Sequence, residues 1–171
     1  MSTVKLQINK LSQTFLVREL KEKDIPEILT LCRGNPVYYR HMQSMASEEG
    51  IRKSMRALPP GKGYEDKYFL GFYKKQTLTA IMDLIVSFPD ENTAFFGLFM
   101  MNQEFQGCGN GSRIVTEAEA YLKQAGFASI RLGYVKGNAQ SRGFWLKNGF
   151  EPTGVESDER KYTVVVMRHE L

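Results

Sequence analysis

The chain has 171 residues, 42% hydrophobic and 25% charged, which is the balance of a globular fold and excludes a disordered or fibrous chain. One domain over residues 1–171 is expected, and the longest apolar run, Ala94 to Met101, is far too short to span a membrane. The 23 Lys and Arg against 19 Asp and Glu are scattered rather than striped, so neither a nucleic-acid groove nor a membrane partner is expected. Cys32 and Cys108 cannot build a disulfide framework and the N-terminus shows no charged-then-apolar leader, so a cytoplasmic location is expected.

In chain order, Thr14 to Leu20 is predicted as a strand. Asp24 opens a helix, with Glu27 placed for a capping box, Gly34 as the stop, and Ile25, Ile28, Leu29 and Cys32 as the apolar face. Ser47 opens a second helix that turns Ile51, Met55 and Leu58 inward and ends at Pro59-Pro60. The stretch from Pro59 to Gly63 is a loop within the domain. Tyr68 to Lys74 and Leu78 to Phe88 are strands joined by a polar turn. Pro89 to Asn92 is a second turn, and Thr93 to Met101 is the next strand. A long helix runs from about Gly109 to Ala125, with Gly126 as its cap. Ser129 to Val135 is a strand, Asn138 caps a short helix that stops at Gly149, and two strands follow near 151–156 and 162–169. The order β-α-α-β-β-β-α-β-α-β-β is that of an α/β fold with a sheet of mixed direction.

The segment Gln106-Gly107-Cys108-Gly109-Asn110-Gly111-Ser112 follows a strand and opens a helix. Glycines permit a tight turn and close backbone approach, and a helix N-terminus offers free N–H groups and a positive dipole end, so a phosphate or pyrophosphate is the expected guest. A nucleotide P-loop needs Lys after its last glycine, whereas Ser112-Arg113 follow Gly111. A dinucleotide fingerprint needs a third glycine at position 112 and an acidic end to the next strand, which here closes on Val135-Lys136. The glycine string is also similar to that of S-adenosylmethionine methyltransferases. Those enzymes place it after their first strand, and only about sixty residues follow Gly111 here.

Gln106-x-x-Gly109-x-Gly111 resembles the pyrophosphate loop of the GNAT family of acyl-CoA N-acyltransferases, which reads Gln/Arg-x-x-Gly-x-Gly/Ala. Asn138-Ala-Gln-Ser-Arg-Gly-Phe-Trp-Leu-Lys-Asn-Gly-Phe150 resembles that family's Asn-x-x-Ala-x-x-Phe-Tyr-x-Lys-x-Gly-Phe segment. The likeness spans about residues 14–169. Its motifs lie within about 65–156, and the family's acceptor-site helices correspond to about 24–58. The resemblance implies a mixed, mostly antiparallel sheet flanked by helices, with acetyl-CoA as the cofactor. It implies that Phe99, Met100 and Met101 hold the pantetheine arm, that Gln106, Gly107, Cys108, Gly109, Asn110, Gly111 and Ser112 cradle the pyrophosphate, and that Asn138 and Phe144 flank the thiol. Asn138 is equally explained as a helix N-cap. A homodimer is compatible with the sequence.

Direct transfer requires a polarised thioester carbonyl, a base for the amine proton and a tolerable thiolate leaving group. The family's frequent acid, a tyrosine after Phe144, is replaced by Trp145, whose indole gives up no proton at useful pH. Tyr134, Tyr162, a water or no acid at all remain as alternatives. Asp83 interrupts the apolar strand Ala80 to Val86, and the turn at 89–92 sets it opposite Leu98, beside the expected acyl site. It is read as a base, as an anchor for a cationic acceptor, or as a residue on a polar sheet face. Tyr38, Tyr39 and His41 lie between the two early helices, where the family binds its acceptor. His41 and His169 make no metal signal, and none is expected. The expected function is transfer of acetyl to a primary amine on a small molecule or peptide. A non-catalytic acyl-CoA sensor is the alternative, and a methyltransferase is a weaker one.

Overall fold

A computed structural model describes residues 4–171. Its strands are β1 Leu16–Glu19, β2 Lys67–Lys74, β3 Thr77–Ile85, β4 Thr93–Met101, β5 Ser129–Val135, β6 Glu151–Asp158 and β7 Thr163–Glu170. Its α-helices are α1 Ile25–Arg33, α2 Pro36–Met42, α3 Glu48–Arg56, α4 Asn110–Gln124 and α5 Ala139–Lys147. The strands form one sheet in the order β1-β2-β3-β4-β5-β7-β6. Neighbours are antiparallel except β4 and β5, which run parallel because α4 carries the chain back across the sheet. No helix among the described residues is long and apolar enough to cross a membrane.

Side-chain alternation along the strands makes two apolar layers. On one face, Ile114, Ala118 and Leu122 of α4 pack with Met82, Phe96 and Leu132 of the sheet. On the other, Ile28 of α1 and Ile51 of α3 pack with Phe69 and Ile81. Each such side chain, once buried, contributes about 1.5–3 kcal/mol. Helices α1 and α3 and the motif-bearing helix α4 therefore lie on opposite faces of one sheet.

Three expectations need correction. Two early helices are expected, and a third, α2, lies between them and carries Tyr38, Tyr39 and His41; it begins at Pro36 because proline is favoured at the first helical position. Asp24 does not form a capping box with Glu27. Its carboxylate accepts from Arg18 at 3.0 and 3.1 Å and from the Lys21 N–H at 2.8 Å, which closes the turn before α1. The strand predicted to reach Phe88 ends at Ile85, where Ser87 takes up a positive φ of 55°. Ser47 does cap α3, accepting from the Gly50 N–H at 3.0 Å. At the sheet edge, β6 is exposed along its length and carries Pro152 and a positive-φ Gly154 beside a register shift, features that discourage edge pairing.

Glu117 of α4 ties the N-terminal segment down. It accepts from Ser12 Oγ at 2.6 Å, Thr14 Oγ1 at 2.7 Å, and the N–H groups of Gln13 and Thr14 at 3.1 Å each. Burial alone would raise its carboxyl, but these donors hold it below the ordinary range. A carboxyl depressed in the folded state adds stability above its unfolded pKa and loses it as pH falls through the folded value. Glu117→Ala is expected to cost about 2 kcal/mol at neutral pH. Urea unfolding of wild type and variant across a pH series should show that difference shrink on acidification.

Candidate active site

The site begins where β4 and β5 part. They pair only over Thr93 to Phe96 with Ser129 to Leu132. Beyond Phe96 the two strands diverge, and β4 continues to Met101 with only β3 beside it. Asn102 N–H donates to Thr79 O at 2.8 Å, so by ladder alternation the peptide groups of Phe99 and Met101 face away from β3, into the gap. The Met101 carbonyl is occupied there: Asn35 Nδ2 donates to it at 2.9 Å and Gln106 Nε2 at 3.0 Å. Gln106 Nε2 also donates to Asn35 Oδ1 at 2.9 Å. Asn35, just before α2, thus joins the glycine loop to the end of β4. Sequence reasoning missed it, although the Gly34-Asn35-Pro36 break marked a special turn.

Gly107 and Gly109 have φ of 79° and 86°, and a Cβ at either would meet nothing within 4 Å. The loop is thus curved by residues that leave open space over its backbone. Among the described residues, no acceptor is present for any backbone N–H from Gly107 to Ser112; the first helical bond of α4 is Arg113 N–H to Gly109 O, at 3.0 Å. Free N–H groups at a helix N-terminus suit an anion. Gly111 serves a different need: a Cβ there would lie 3.1 Å from the Phe144 ring, which would have to give by a few tenths of an ångström. The side chains of Cys108 and Asn110 turn back on the loop. Asn110 Nδ2 donates to Phe105 O at 3.2 Å and to Cys108 Sγ at 3.1 Å, so these residues can serve a ligand through their backbone N–H groups.

Three clefts adjoin in this region. The first, about 380 Å³, is bounded by the glycine loop, β4 from Phe99 to Met101, and α5. The second, about 230 Å³, fills the gap between β4 and β5. The third, about 620 Å³, lies between the sheet and helices α1, α2 and α3. Tyr38 lines all three, and Tyr39 lines the third. His41, on the same short helix, lines none of them. Asn138 lines the first two. Its Oδ1 accepts from Ser141 N–H at 3.1 Å as the cap of α5, and its Nδ2 has no partner among the described residues. Cap and cleft residue are therefore compatible roles. Tyr134 lines the second cleft, and Tyr162 the second and third. Burial, with Tyr162 and Cys32 nearby, pushes the Tyr38 phenol up to about 12, so it stays protonated at neutral pH.

The family model described as the acetyltransferase (GNAT) family matches residues 35–150, well over half of the chain. The chain belongs to the GNAT acetyltransferase family. Comparison with curated proteins returns no match. Among solved structures, an acetyltransferase from Thermus thermophilus is similar at 16% identity and TM-score 0.74, over 92% of this chain and 97% of that one. The PaiA N-acetyltransferase of Thermoplasma acidophilum, in complex with coenzyme A, is 21% identical with TM-score 0.65, over 93% of this chain and all (100%) of that one. An acetyltransferase of Salmonella typhimurium that modifies the N-terminal serine of ribosomal protein L7/L12 is 15% identical with TM-score 0.67, over 94% and 97%. At these identities the likeness is one of fold.

Two positions bear on the transfer chemistry. Trp145, at the family's tyrosine position, is buried between the first two clefts, with Phe144 at 4.8 Å, Phe150 at 5.0 Å and Phe99 at 5.8 Å between ring centroids. It is an apolar wall. Asp83 pairs with Leu98 in register, but its carboxylate lines none of the three clefts. Lys67 Nζ holds both of its oxygens at 2.9 Å and also donates to Ser54 O and Ala57 O at 2.9 Å, with only 3% of the lysine side chain exposed. Burial pushes the Asp83 carboxyl up, and Lys67 opposes that shift. Gly97, skipped where the register shifts, makes room: a Cβ there would lie 2.8 Å from Asp83 Oδ2. The pair ties the end of α3 to β2 and β3.

Removing one partner of a buried pair leaves an uncompensated charge, whereas removing both leaves none. Lys67→Met is expected to destabilise by about 3–5 kcal/mol, and Lys67→Met with Asp83→Leu to recover most of that loss. Urea midpoints of the two variants at neutral pH check the sign and the recovery.

Proposed function

We propose that the protein transfers acetyl from acetyl-CoA directly to a primary amine within a ternary complex. The observation that carries this reading is the run of backbone N–H groups from Gly107 to Ser112 that make no hydrogen bond within the chain, in a loop whose Gly107, Gly109, Gly111 and Ser112 line a cleft walled on its other side by Phe99 to Met101 of β4. A pyrophosphate offers many acceptor oxygens to such a run of donors. The same fold in the Thermoplasma protein is described in complex with coenzyme A, which supports the assignment. The chain's own residues divide the work. The loop N–H groups would hold the pyrophosphate. The Phe99 and Met101 N–H groups, Met100, Asn138 Nδ2 and Phe144 would flank the pantetheine arm. Gln106 would act through the Met101 carbonyl, orienting the loop.

Acetyl-CoA supplies an acetyl thioester whose thiol, with a pKa near 8.5 in the free state, needs only modest help to leave. Tyr134, on the wall of the gap between β4 and β5, would hold a proton for the departing sulfur in place of the family's tyrosine. Asp83, with both oxygens engaged by Lys67, would hold the sheet and α3 together rather than take the amine proton.

Acetyl-CoA at a hundredfold excess over Kd is expected to raise Tm by about 5–10 °C, with S-adenosylmethionine inert. Gly109→Val should weaken coenzyme A at least about tenfold, since its side chain is strained at positive φ and projects over the loop. A shift from S-adenosylmethionine alone, or full coenzyme A affinity in the valine variant, would overturn the cofactor assignment. Tyr134→Phe should lower kcat about 10²-fold with coenzyme A affinity preserved; an unchanged kcat returns the proton to solvent.

A further inference from the structure

The gap between β4 and β5 and the larger cleft beyond it share Tyr38, Met42, Leu98 and Tyr162, so they form one path from the acceptor-side helices to the acyl position. No charged side chain lines the gap. The floor of the larger cleft is apolar, formed by Ile28, Ile51, Phe69, Ile81 and Leu98. Glu49 is the one carboxylate lining it; it is exposed, and Lys53 and Lys161 outnumber it. The buried carboxylate paired in register with Phe69 and Leu98 of the floor, Asp83, is neutralised by Lys67. A second ammonium entering this path would lose its water and meet no counter-charge.

Resting on the acetyl-transfer reading, we infer that the acceptor is a small primary amine on an apolar body with no second cationic centre. The 620 Å³ cleft has room for a molecule of aromatic amine size. An apolar path also answers the absence of a carboxylate base there. Desolvation disfavours the ammonium, so the amine sheds its proton to water at the mouth and arrives as the nucleophile. Its nitrogen then bonds to the acetyl carbon as the carbon–sulfur bond breaks. The nitrogen gives up one further proton and the sulfur leaves as thiol, so an amide and free coenzyme A are the balanced products.

The test is thiol release by the wild-type chain with acetyl-CoA and equal concentrations of 2-phenylethylamine, spermidine or kanamycin. The expected result is a kcat/KM for 2-phenylethylamine at least about tenfold above that for either polycation. Met42→Glu adds a carboxylate to the shared path and should move the spermidine to 2-phenylethylamine ratio about tenfold toward spermidine. A wild-type preference for spermidine or kanamycin overturns the inference and leaves acetyl transfer standing, as does an unchanged ratio in a folded Met42→Glu protein. If coenzyme A binds and no amine releases thiol, acetyl transfer fails instead. Thermal shifts of the coenzyme A-loaded protein with the same amines then decide the inference, with a larger shift from spermidine overturning it.

Discussion

Everything in this molecule turns on two parallel strands that pair for four residues and then separate, Thr93–Phe96 against Ser129–Leu132. A buried strand edge is costly unless its peptide groups find partners, so a split sheet must fill or line its own gap. Three devices do so. Asn35 and Gln106 satisfy the Met101 carbonyl. Phe99, Phe144 and Trp145 wall one side of the gap, with ring centroids between 4.8 and 5.9 Å apart. The remaining donors are left facing a cleft. The glycine loop follows the same logic at the N-terminus of α4, where donors that no helix can satisfy internally face outward together.

Charge is distributed to keep that gap free of charged side chains. The buried carboxylate on β3 is matched by a lysine with all its donors engaged. The phenols of Tyr38 and Tyr162 are both held up by burial, so the walls remain neutral. An uncharged wall strengthens whatever dipoles a reacting group meets, because little water competes. The acidic and basic groups of the larger cleft sit outside this region, at the exposed Glu49, Lys53 and Lys161.

How much was legible in the sequence follows from which signals are local. The strand ends at β4, the loop, α4 and the Asn138 cap were all readable, because glycines, caps and turn residues act within a few positions. Asp83 opposite Leu98 was readable from the turn at 89–92. Its partner was not. Without the register shift between Phe72 and Tyr73, Lys67 would fall on the opposite face of the sheet; the shift pairs it with Ile85 and sets it beside Asp83. A bulge of that kind leaves no residue signature here. Helix α2 was hidden for another reason: its seven residues are too few to show a period, and its partners are remote in sequence. Asn35 joins segments that only the folded chain brings together.

Trp145 is the only tryptophan in the chain. It stands in the wall shared by the loop-side cleft and the gap between β4 and β5, against Phe99, Phe144 and Phe150. Light absorbed selectively by indole is therefore emitted from one place in the molecule, at the junction of its two half-sites. Trp145 is thus a single intrinsic fluorophore set beside both clefts, where its emission can be followed without a label.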